Sequence, residues 1–205
     1  MKLYIEPSGK VFDLTDAATG ITWESTYQSG AARLEVTVLG GGFSPGDMLT
    51  FEQDGQQAFS GRVFSIRKER SGQTQIVAYD QLRYLKAQDY IFRRGMPLEA
   101  LLTQGCAVLG LRLGECASTG FTLPDKTYEK KAWLDALYES IRDVGVYTGV
   151  DYCLWDDFGA IRLTPIVDLR QPLILGDGSL VTDYARQHSL EESANRIKLI
   201  QAGNG

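Results

Sequence analysis

Three β-strands and one short helix are predicted by GDMLTFEQDGQQAFSGRVFSIRKERSGQTQIVAYDQLRYL, residues Gly46–Leu85. Hydrophobic and polar residues alternate through a first strand, Asp47–Gln53, and through a return strand, Phe59–Lys68. The Asp54-Gly55 pair between them favours a type I′ turn, because both central residues of that turn need a positive φ. The stretch therefore opens with a β-hairpin.

The hairpin is expected to continue into a third strand and a helical turn. Ser71-Gly72 predicts the next turn, and Gln75–Tyr79 predicts the third strand. Asp80 can then act as the N-cap of a short helix. Gly61, inside the return strand, indicates a bulge or a close approach of another backbone. Together these signals are typical of a β-meander.

The residues before the meander are also rich in β signals. Lys2–Glu6, Ile21–Ser25 and Leu34–Leu39 each read as strands, and the glycines at 40–42 predict a loop after the last of them. About five or six antiparallel strands in this part of the chain favour a small barrel or sandwich. We therefore expect a first β-barrel domain over residues 1–90.

Helical patterns follow this β-rich region. Pro97–Leu109 carries a proline at its first predicted helical position and is followed by Gly110 as a stop signal. A second apolar stripe predicts a helix over Lys131–Val144. Two strands, Val150–Trp155 and Ile161–Thr164, then form a predicted hairpin. This order predicts an inserted ααββ domain, which we assign to residues 91–166.

β structure is predicted again near the end of the chain, in Leu180–His188 and Arg196–Gln201. We interpret residues 167–205 as the start of a second β-barrel domain. The predicted fold class is thus α+β, mainly β. Because the chain ends shortly after its last predicted strand, we expect it to be a fragment or an unusually short homologue.

Composition is ordinary for a folded, water-soluble protein. The chain is 43% hydrophobic and 23% charged, with a mean hydropathy of −0.17. No apolar run approaches the ~20 residues of a transmembrane helix, so membrane insertion is not expected. The first residues show no secretory signal, which predicts cytoplasmic synthesis.

Charge and cysteine content argue against two classes of site. The net charge is −5, whereas proteins that bind nucleic acid usually carry a basic face and a basic pI. Basic residues do concentrate in Arg62–Arg70 and Arg83–Arg94. In Arg62–Arg70 they alternate with apolar residues, which favours a solvated strand face over the alternative of a partner surface. The odd number of cysteines, Cys106, Cys116 and Cys153, and their lack of CxxC spacing argue against a disulfide framework or a zinc site. Cys106 and Cys153 are interpreted as small core residues.

No catalytic motif stands out. The single histidine, His188, falls in a predicted strand, and no GxSxG sequence supplies a nucleophile elbow. Candidate carboxylates for a hydrolase are Glu115, Asp151, Asp156 and Asp157, but turn chemistry explains the Asp156-Asp157 pair. We therefore predict no catalytic, cofactor-binding or metal-binding residues and no enzyme activity.

Several segments, in this order, carry a family resemblance. The meander stretch is followed by MPLEALL and LGL within Met96–Leu111, by KTYEKKAWLDALYESI over Lys126–Ile141, and by ANRIKLI over Ala194–Ile200. The whole order resembles phage tail and baseplate hub proteins of the XkdQ type. That family is similar to the hub part of type VI secretion spike proteins.

The resemblance implies a fold of two tail-tube-like β-barrels with a small α+β domain inserted between them. It further implies a structural protein of the contractile tail or baseplate that assembles as a trimeric ring and joins the tail tube to the central spike. Its partners would be its own copies, the tail tube protein, the spike and other baseplate proteins. Family members continue well past this chain's last residues, and the family has no catalytic motif to transfer.

Within such a ring, the meander is the expected subunit interface. Its candidate residues are Leu49, Phe51, Phe59, Val63, Phe64 and Ile66, some of which must instead fill the barrel. Two alternatives stay open. One is a tail-associated peptidoglycan hydrolase, and the other is a cell-wall-binding module in which Trp133, Tyr152 and Trp155 stack on sugars.

Overall fold

A seven-stranded antiparallel sheet forms the N-terminal part of the computed structural model, which describes residues 1–27 and 30–170. Its strands are β1 (Lys2–Glu6), β2 (Phe12–Asp13), β3 (Ala18–Glu24), β4 (Arg33–Leu39), β5 (Met48–Gln53), β6 (Gln56–Lys68) and β7 (Gln73–Tyr79). The order across the sheet is β2-β1-β5-β6-β7-β4-β3. The predicted meander β5-β6-β7 therefore forms its centre.

The sheet curls around its own hydrophobic core. Alternate side chains of the strands point inward, and the largest of them are fully buried: Leu3, Ile5, Leu34, Leu49 and Ile76. Trp23 of β3 lies 6.5 Å from Phe51 of β5 between ring centroids, although three strands separate β3 from β5 in the sheet order. The curl is thus strong, but strands β2 and β3 remain edges. The barrel prediction is confirmed only as a curled, open antiparallel sheet.

The local turn predictions in the meander are confirmed. Asp54 and Gly55 both have positive φ, 53° and 78°, as a type I′ turn requires. Asp80 caps a 3₁₀ helix (Gln81–Lys86) by accepting a hydrogen bond from the Leu82 N–H. A Cβ on Gly61 would lie 2.3 Å from the carbonyl oxygen of Tyr79, so the predicted close backbone approach is present.

A bulge at Phe64 changes the inward alternation of strand β6. The pairing with β7 shifts between Val63 and Ser65, which leaves Phe64 as the extra residue. Val63 before the bulge points into the core, and Ile66 after it also packs against that core. Simple alternation does not predict this change of face.

The elements after the 3₁₀ helix build a second hydrophobic core. They are β8 (Gln88–Arg93), β9 (Met96–Pro97), α1 (Leu98–Leu109), β10 (Leu113–Cys116), β11 (Thr122–Leu123), β12 (Lys126–Ala132), α2 (Trp133–Thr148), β13 (Tyr152–Asp156), β14 (Ile161–Pro165) and a closing 3₁₀ helix (Ile166–Leu169). Strand β12 pairs with β8, β11 with β9, and β14 with both β10 and β13. Trp133 and both α-helices lie at the centre of this core.

The predicted ααββ order needs correction, because three strands lie between the two helices. Strands β10 and β11 are too short to show a period, and β12 buries only Tyr128 completely. Such strands are specified by their partners in other segments, so local patterning does not reveal them. The predicted hairpin β13–β14 is present.

Helix α1 ends where the sequence predicts, whereas helix α2 continues beyond its predicted end. Gly110 follows α1 with φ 64°, so the predicted stop is confirmed. Helix α2 begins at Trp133 and continues through Gly145 to Thr148, with Gly149 as the left-handed cap. A glycine inside a helix costs only about 1 kcal/mol, and a Cβ on Gly145 would lie 3.2 Å from an Asp151 carboxylate oxygen.

The two hydrophobic cores can be compared with the predicted domain boundaries. Leu82 and Leu85 of the first 3₁₀ helix belong to the second core, not to the core of the sheet. The boundaries of the predicted domains, 1–90 and 91–166, stay predictions. The strands predicted at Leu180–His188 and Arg196–Gln201, and with them the second barrel, lie outside the described residues. Within the described part of the chain, no helix combines the length and apolarity needed to cross a bilayer.

Candidate functional site

Four of the six predicted interface residues fill the core of the sheet. Leu49, Phe51, Phe59 and Val63 are at most 4% exposed. Their positions follow from the inward alternation of strands β5 and β6, whose inner face is apolar. These four are thus the members of the set that fill the sheet's own core, and the contact of the meander with another subunit stays a prediction.

Phe64 differs from these four because it follows the inward-facing Val63 and lies on the opposite, outer face of the strand. Its side chain is 38% exposed, while Ile66 is half-buried. The Phe64 ring packs edge-on against Tyr79 at 5.4 Å and lies 5.7 Å from the Tyr84 ring, between centroids. Phe64 remains accessible to a partner, and its contact with another subunit stays a prediction.

An arginine completes this group of aromatic side chains. The guanidinium carbon of Arg83 lies 5.1 Å from the ring centroid of Tyr79 and 5.8 Å from that of Phe64. These distances allow cation–π attraction, worth about 0.5–1 kcal/mol at exposed sites. We call Phe64, Tyr79, Arg83 and Tyr84 the aromatic–arginine cluster. The spacing of Tyr79, Arg83 and Tyr84 around the helix-capping Asp80 was the available sequence signal, and it was missed.

Asp80 anchors the chain beside this cluster. Its carboxylate accepts hydrogen bonds from the backbone N–H groups of Ala32, at 2.8 Å, and Leu82, at 2.9 Å. The Asp80 N–H in turn donates to the Ala32 carbonyl oxygen. Burial raises the pKa of the Asp80 carboxyl to about 7, with a further contribution from the nearby Asp156. Both carboxylate oxygens therefore bind backbone N–H groups, which is a structural role.

Gln81 connects the same region to the β13–β14 hairpin. Its Oε1 accepts the backbone N–H of Arg112 at 2.9 Å, and its Nε2 donates to the carbonyl oxygen of Gly159. Asp156 accepts the Gly159 N–H at 2.6 Å, and burial raises the pKa of its carboxyl. The predicted candidate carboxylate Asp156 thus serves the turn of the hairpin.

A cleft of about 460 Å³ opens next to Asp80 and Gln81. The sheet supplies Arg62 and Tyr79, the 3₁₀ helix supplies Tyr84, and the loop after α1 supplies Arg112. Arg62 is held in place by donating from Nη1 to the Gly46 carbonyl oxygen at 2.8 Å. These residues come from distant parts of the sequence, so no local motif predicts the cleft.

The other candidate carboxylates do not form a paired site. Arg162 Nε lies 2.9 Å from an Asp157 oxygen, and Arg162 Nη1 lies 3.7 Å from the exposed Glu115. Asp151 sits at the start of the hairpin, where its backbone oxygen accepts from Ile166. His188 lies outside the described residues. Among residues 1–27 and 30–170, no group of His, Cys, Asp and Glu side chains is arranged to hold a metal ion.

The aromatic residues proposed for wall binding have mainly structural positions. Trp133 and Tyr152 are buried in the second core, which corrects their predicted role as stacking surfaces. Trp155 is half-buried, and its Nε1 donates to Thr164 Oγ1 at 3.0 Å. Cys106 and Cys153 are buried and free, in agreement with their interpretation as small core residues.

Two curated proteins of Bacillus subtilis (strain 168) match the sequence over 158 residues, which is 76% of this chain. The uncharacterized protein YqbQ is 27% identical, and the phage-like element PBSX protein XkdQ is 25% identical. The chain spans 48% of the length of each, or about half. The predicted resemblance to XkdQ is thereby confirmed, whereas the similarity to type VI secretion spike proteins stays a prediction.

Three solved structures share the fold. The TM-score is 0.59 with the 43 kDa tail protein of prophage MuSo2 from Shewanella oneidensis, at 19% identity over 80% of this chain and 52% of that one. It is also 0.59 with the tail protein from Neisseria meningitidis MC58, at 14% identity and coverages of 79% and 49%. For prophage tail protein gp18 from Listeria monocytogenes EGD-e it is 0.51, at 15% identity and coverages of 80% and 51%.

A family model that describes YqbQ-like proteins matches residues 21–205. This range includes most of the curled sheet, both α-helices and the β13–β14 hairpin. The match is therefore a property of nearly the whole sequence and does not depend on one shared motif. The chain belongs to the YqbQ-like family.

Proposed function

We propose that the chain forms part of a structural hub of a phage tail, which assembles as a trimeric ring and joins the tail tube to the central spike. The observation that carries this proposal is the shared fold with three proteins described as tail proteins, at TM-scores of 0.51 to 0.59. The relationship to the phage-like element protein XkdQ supports it independently. Its expected location is the virion tail or baseplate.

The open sheet offers a physical reason for assembly. Strands β2 and β3 are its edges, and β3 is seven residues long. Exposed edge strands carry unpaired backbone N–H and C=O groups that can pair with another chain. Exposed Trp23 on β3 and Phe12 on β2 add apolar area beside these edges. Neighbouring copies or a tube protein would cover both features in a ring.

The carboxylates of Asp80 in the cleft and of Asp156 and Asp157 in the neighbouring hairpin favour a structural role over hydrolysis. Asp80 and Asp156 both accept hydrogen bonds from backbone N–H groups, and Asp157 is paired with Arg162. A retaining or inverting glycosidase needs two carboxyl groups that face a substrate across a cleft. Carboxylates that already bind backbone N–H groups or an arginine are poorly suited to catalysis on a sugar substrate.

The first experiment measures absolute mass by light scattering for this chain and for any longer natural version of it. A trimer of the longer version, alone or with a tail tube protein, is the expected result. A longer version that stays monomeric at high concentration even with the tube protein would overturn the ring proposal. A zymogram on purified cell walls tests the hydrolase alternative, and lytic activity that disappears on neutralising Asp157 would favour it.

A further inference from the structure

Positive charge is concentrated in one part of the sequence. Residues 61–94 contain eight lysines and arginines and three acidic residues, a net charge of +5 in a chain whose total is −5. Two of the three acids are withdrawn from the surface, since Asp80 is buried and Asp89 is half-buried. This segment spans the second half of β6, all of β7 and the 3₁₀ helix, which form one wall of the cleft described above.

Arginines from two segments meet at that cleft. Arg62 and Arg112 both line it and both are exposed. Arg62 donates to the Gly46 carbonyl oxygen, which carries no formal charge, and Arg112 makes no ion pair with any residue that the structure describes. Asp80, which also lines the cleft, accepts backbone hydrogen bonds and forms no ion pair with either arginine. Arg62 and Arg112 therefore bring positive charge to the cleft without an ion-pair partner in the described chain.

Apolar and polar groups share the lining of the same cleft. Its apolar and aromatic lining consists of Met48, Tyr79, Tyr84, Leu109, Leu111 and Phe158. A volume of about 460 Å³ lies within the range of pockets that hold ligands, and it can admit one or two side chains of a partner. The aromatic–arginine cluster continues this lining onto the surface, since Tyr79 and Tyr84 belong to both.

We propose that the cleft and the aromatic–arginine cluster together form a docking surface for an acidic segment of a partner protein. An apolar or aromatic side chain of that segment enters the cleft, and carboxylates beside it pair with Arg62 and Arg112. Buried aromatic and arginine anchors of this kind dominate the energetics of protein interfaces. The proposal concerns this surface alone and does not depend on the hub function.

Charge favours a protein segment over a nucleic acid. Outside residues 61–94 the chain carries a net charge of −10, which repels a long polyanion but affects a short segment with one or two carboxylates much less. The cleft also combines its two arginines with apolar side chains, whereas single-stranded nucleic acid needs an extended basic groove with stacking surfaces. Binding of an oligonucleotide is thus a competing outcome of the test.

The test is a selection of random peptides, displayed on yeast, against the whole chain. Enriched peptides are expected to combine aspartate or glutamate with a neighbouring phenylalanine, tyrosine or leucine. Synthetic versions are then measured by fluorescence anisotropy. Arg112→Glu is expected to weaken their binding about tenfold or more at low salt, because it replaces attraction by repulsion. Tyr84→Ala, which removes an apolar wall, is expected to weaken binding by a similar factor.

The matched control is Arg67→Glu, which makes the same charge change on an exposed arginine of β6. Arg67 lies roughly 15 Å along the strand from Arg62, outside the cleft. It is expected to change binding less than about threefold. The proposal would be overturned if Arg112→Glu and Arg67→Glu lowered peptide affinity equally, if the enriched peptides lacked acidic residues, or if no peptide depended on the cleft for binding. It would also be overturned if an oligothymidylate bound more tightly than the peptides and its binding disappeared in Arg112→Glu. Unchanged unfolding temperatures establish that the variants remain folded.

Discussion

Arg93 Nη1 donates to a carboxylate oxygen of Asp143 at 2.9 Å, and this ion pair joins strand β8 to helix α2. The Arg93 side chain is 2% exposed. The guanidinium also donates to the Pro124 carbonyl oxygen at 2.9 Å and to Ser140 Oγ at 3.0 Å. One buried side chain therefore connects a strand, a loop and a helix of the second core.

Replacing Arg93 by methionine is expected to lower the free energy of unfolding by about 3 kcal/mol. Methionine keeps much of the side-chain volume but leaves the Pro124 carbonyl and Ser140 hydroxyl groups without this donor. Urea denaturation measures the change. The control is Arg94→Met. Arg94 is exposed and its guanidinium lies over the Phe92 ring, so this replacement should lower the free energy of unfolding by less than about 1 kcal/mol. Equal losses for the two variants would contradict this account of Arg93.

Asp80 is expected to make stability depend on pH. Its pKa is about 7 in the folded chain against an ordinary value of 3.8, so the folded state holds a proton that the unfolded state has released. The stabilisation is complete below pH 3.8 and is lost as the pH rises through 7. Between pH 5 and pH 8, Asp80 should therefore lower the free energy of unfolding by about 3 kcal/mol.

Chemical denaturation of the wild type and of Asp80→Asn at several pH values tests this expectation. The asparagine variant cannot ionise, so its unfolding free energy should fall less between pH 5 and pH 8. It should also be less stable than the wild type at pH 5, since one backbone N–H loses its acceptor. Asp16→Asn, at an exposed turn position, should keep the wild-type pH dependence. Parallel curves for wild type and Asp80→Asn would rule out Asp80 as the source.

Local chemistry explains which parts of the fold were predictable from the sequence. The Asp54-Gly55 turn, the Asp80 cap and the Gly110 stop each depend on a few adjacent residues, and all three are present. Strands β10, β11 and β12 depend on partners elsewhere in the chain and were missed. The end of α2 was misplaced at Gly145 because packing against Asp151, which favours glycine there, involves a later segment.

The candidate site follows the same rule. Phe64 was predicted as an interface residue from the apolar pattern of β6, and it is exposed. Alternation along β6 separates it from the inward-facing Phe59 and Val63, whereas the bulge that brings Ile66 toward the core leaves no signal in the pattern. The cleft was missed because Arg62 and Arg112 are brought together by packing between the sheet and the loop after α1.

Gly61 is expected to tolerate no side chain. A Cβ there would lie 2.3 Å from the Tyr79 carbonyl oxygen and 2.5 Å from the Phe59 ring, so strands β6 and β7 would have to separate. We expect Gly61→Ala to lower the free energy of unfolding by about 3 kcal/mol or more, as for other strongly overpacked sites. Gly20→Ala in strand β3 is the control, since a Cβ on Gly20 would have no atom within 4 Å and its φ is not positive. Thermal unfolding of both variants gives the comparison, and a Gly61→Ala variant as stable as Gly20→Ala would show that the backbones are not in close contact.

Phe59 and Phe64 lie on one strand, but replacement by alanine is expected to cost far more stability at Phe59 than at Phe64. Phe59 is 3% exposed within the sheet core, so Phe59→Ala should cost about 3–5 kcal/mol of stability. Phe64 is 38% exposed and contacts only the neighbouring aromatic and arginine side chains, so Phe64→Ala should cost less than about 1.5 kcal/mol. Urea denaturation separates these effects.

If Phe64 contacts a partner, as the sequence predicts, then Phe64→Ala should also weaken assembly in light scattering while its fold stays intact. A Phe64→Ala variant that assembles like the wild type would remove Phe64 from the predicted interface and leave Ile66 as its last accessible candidate, because Leu49, Phe51, Phe59 and Val63 lie inside the core.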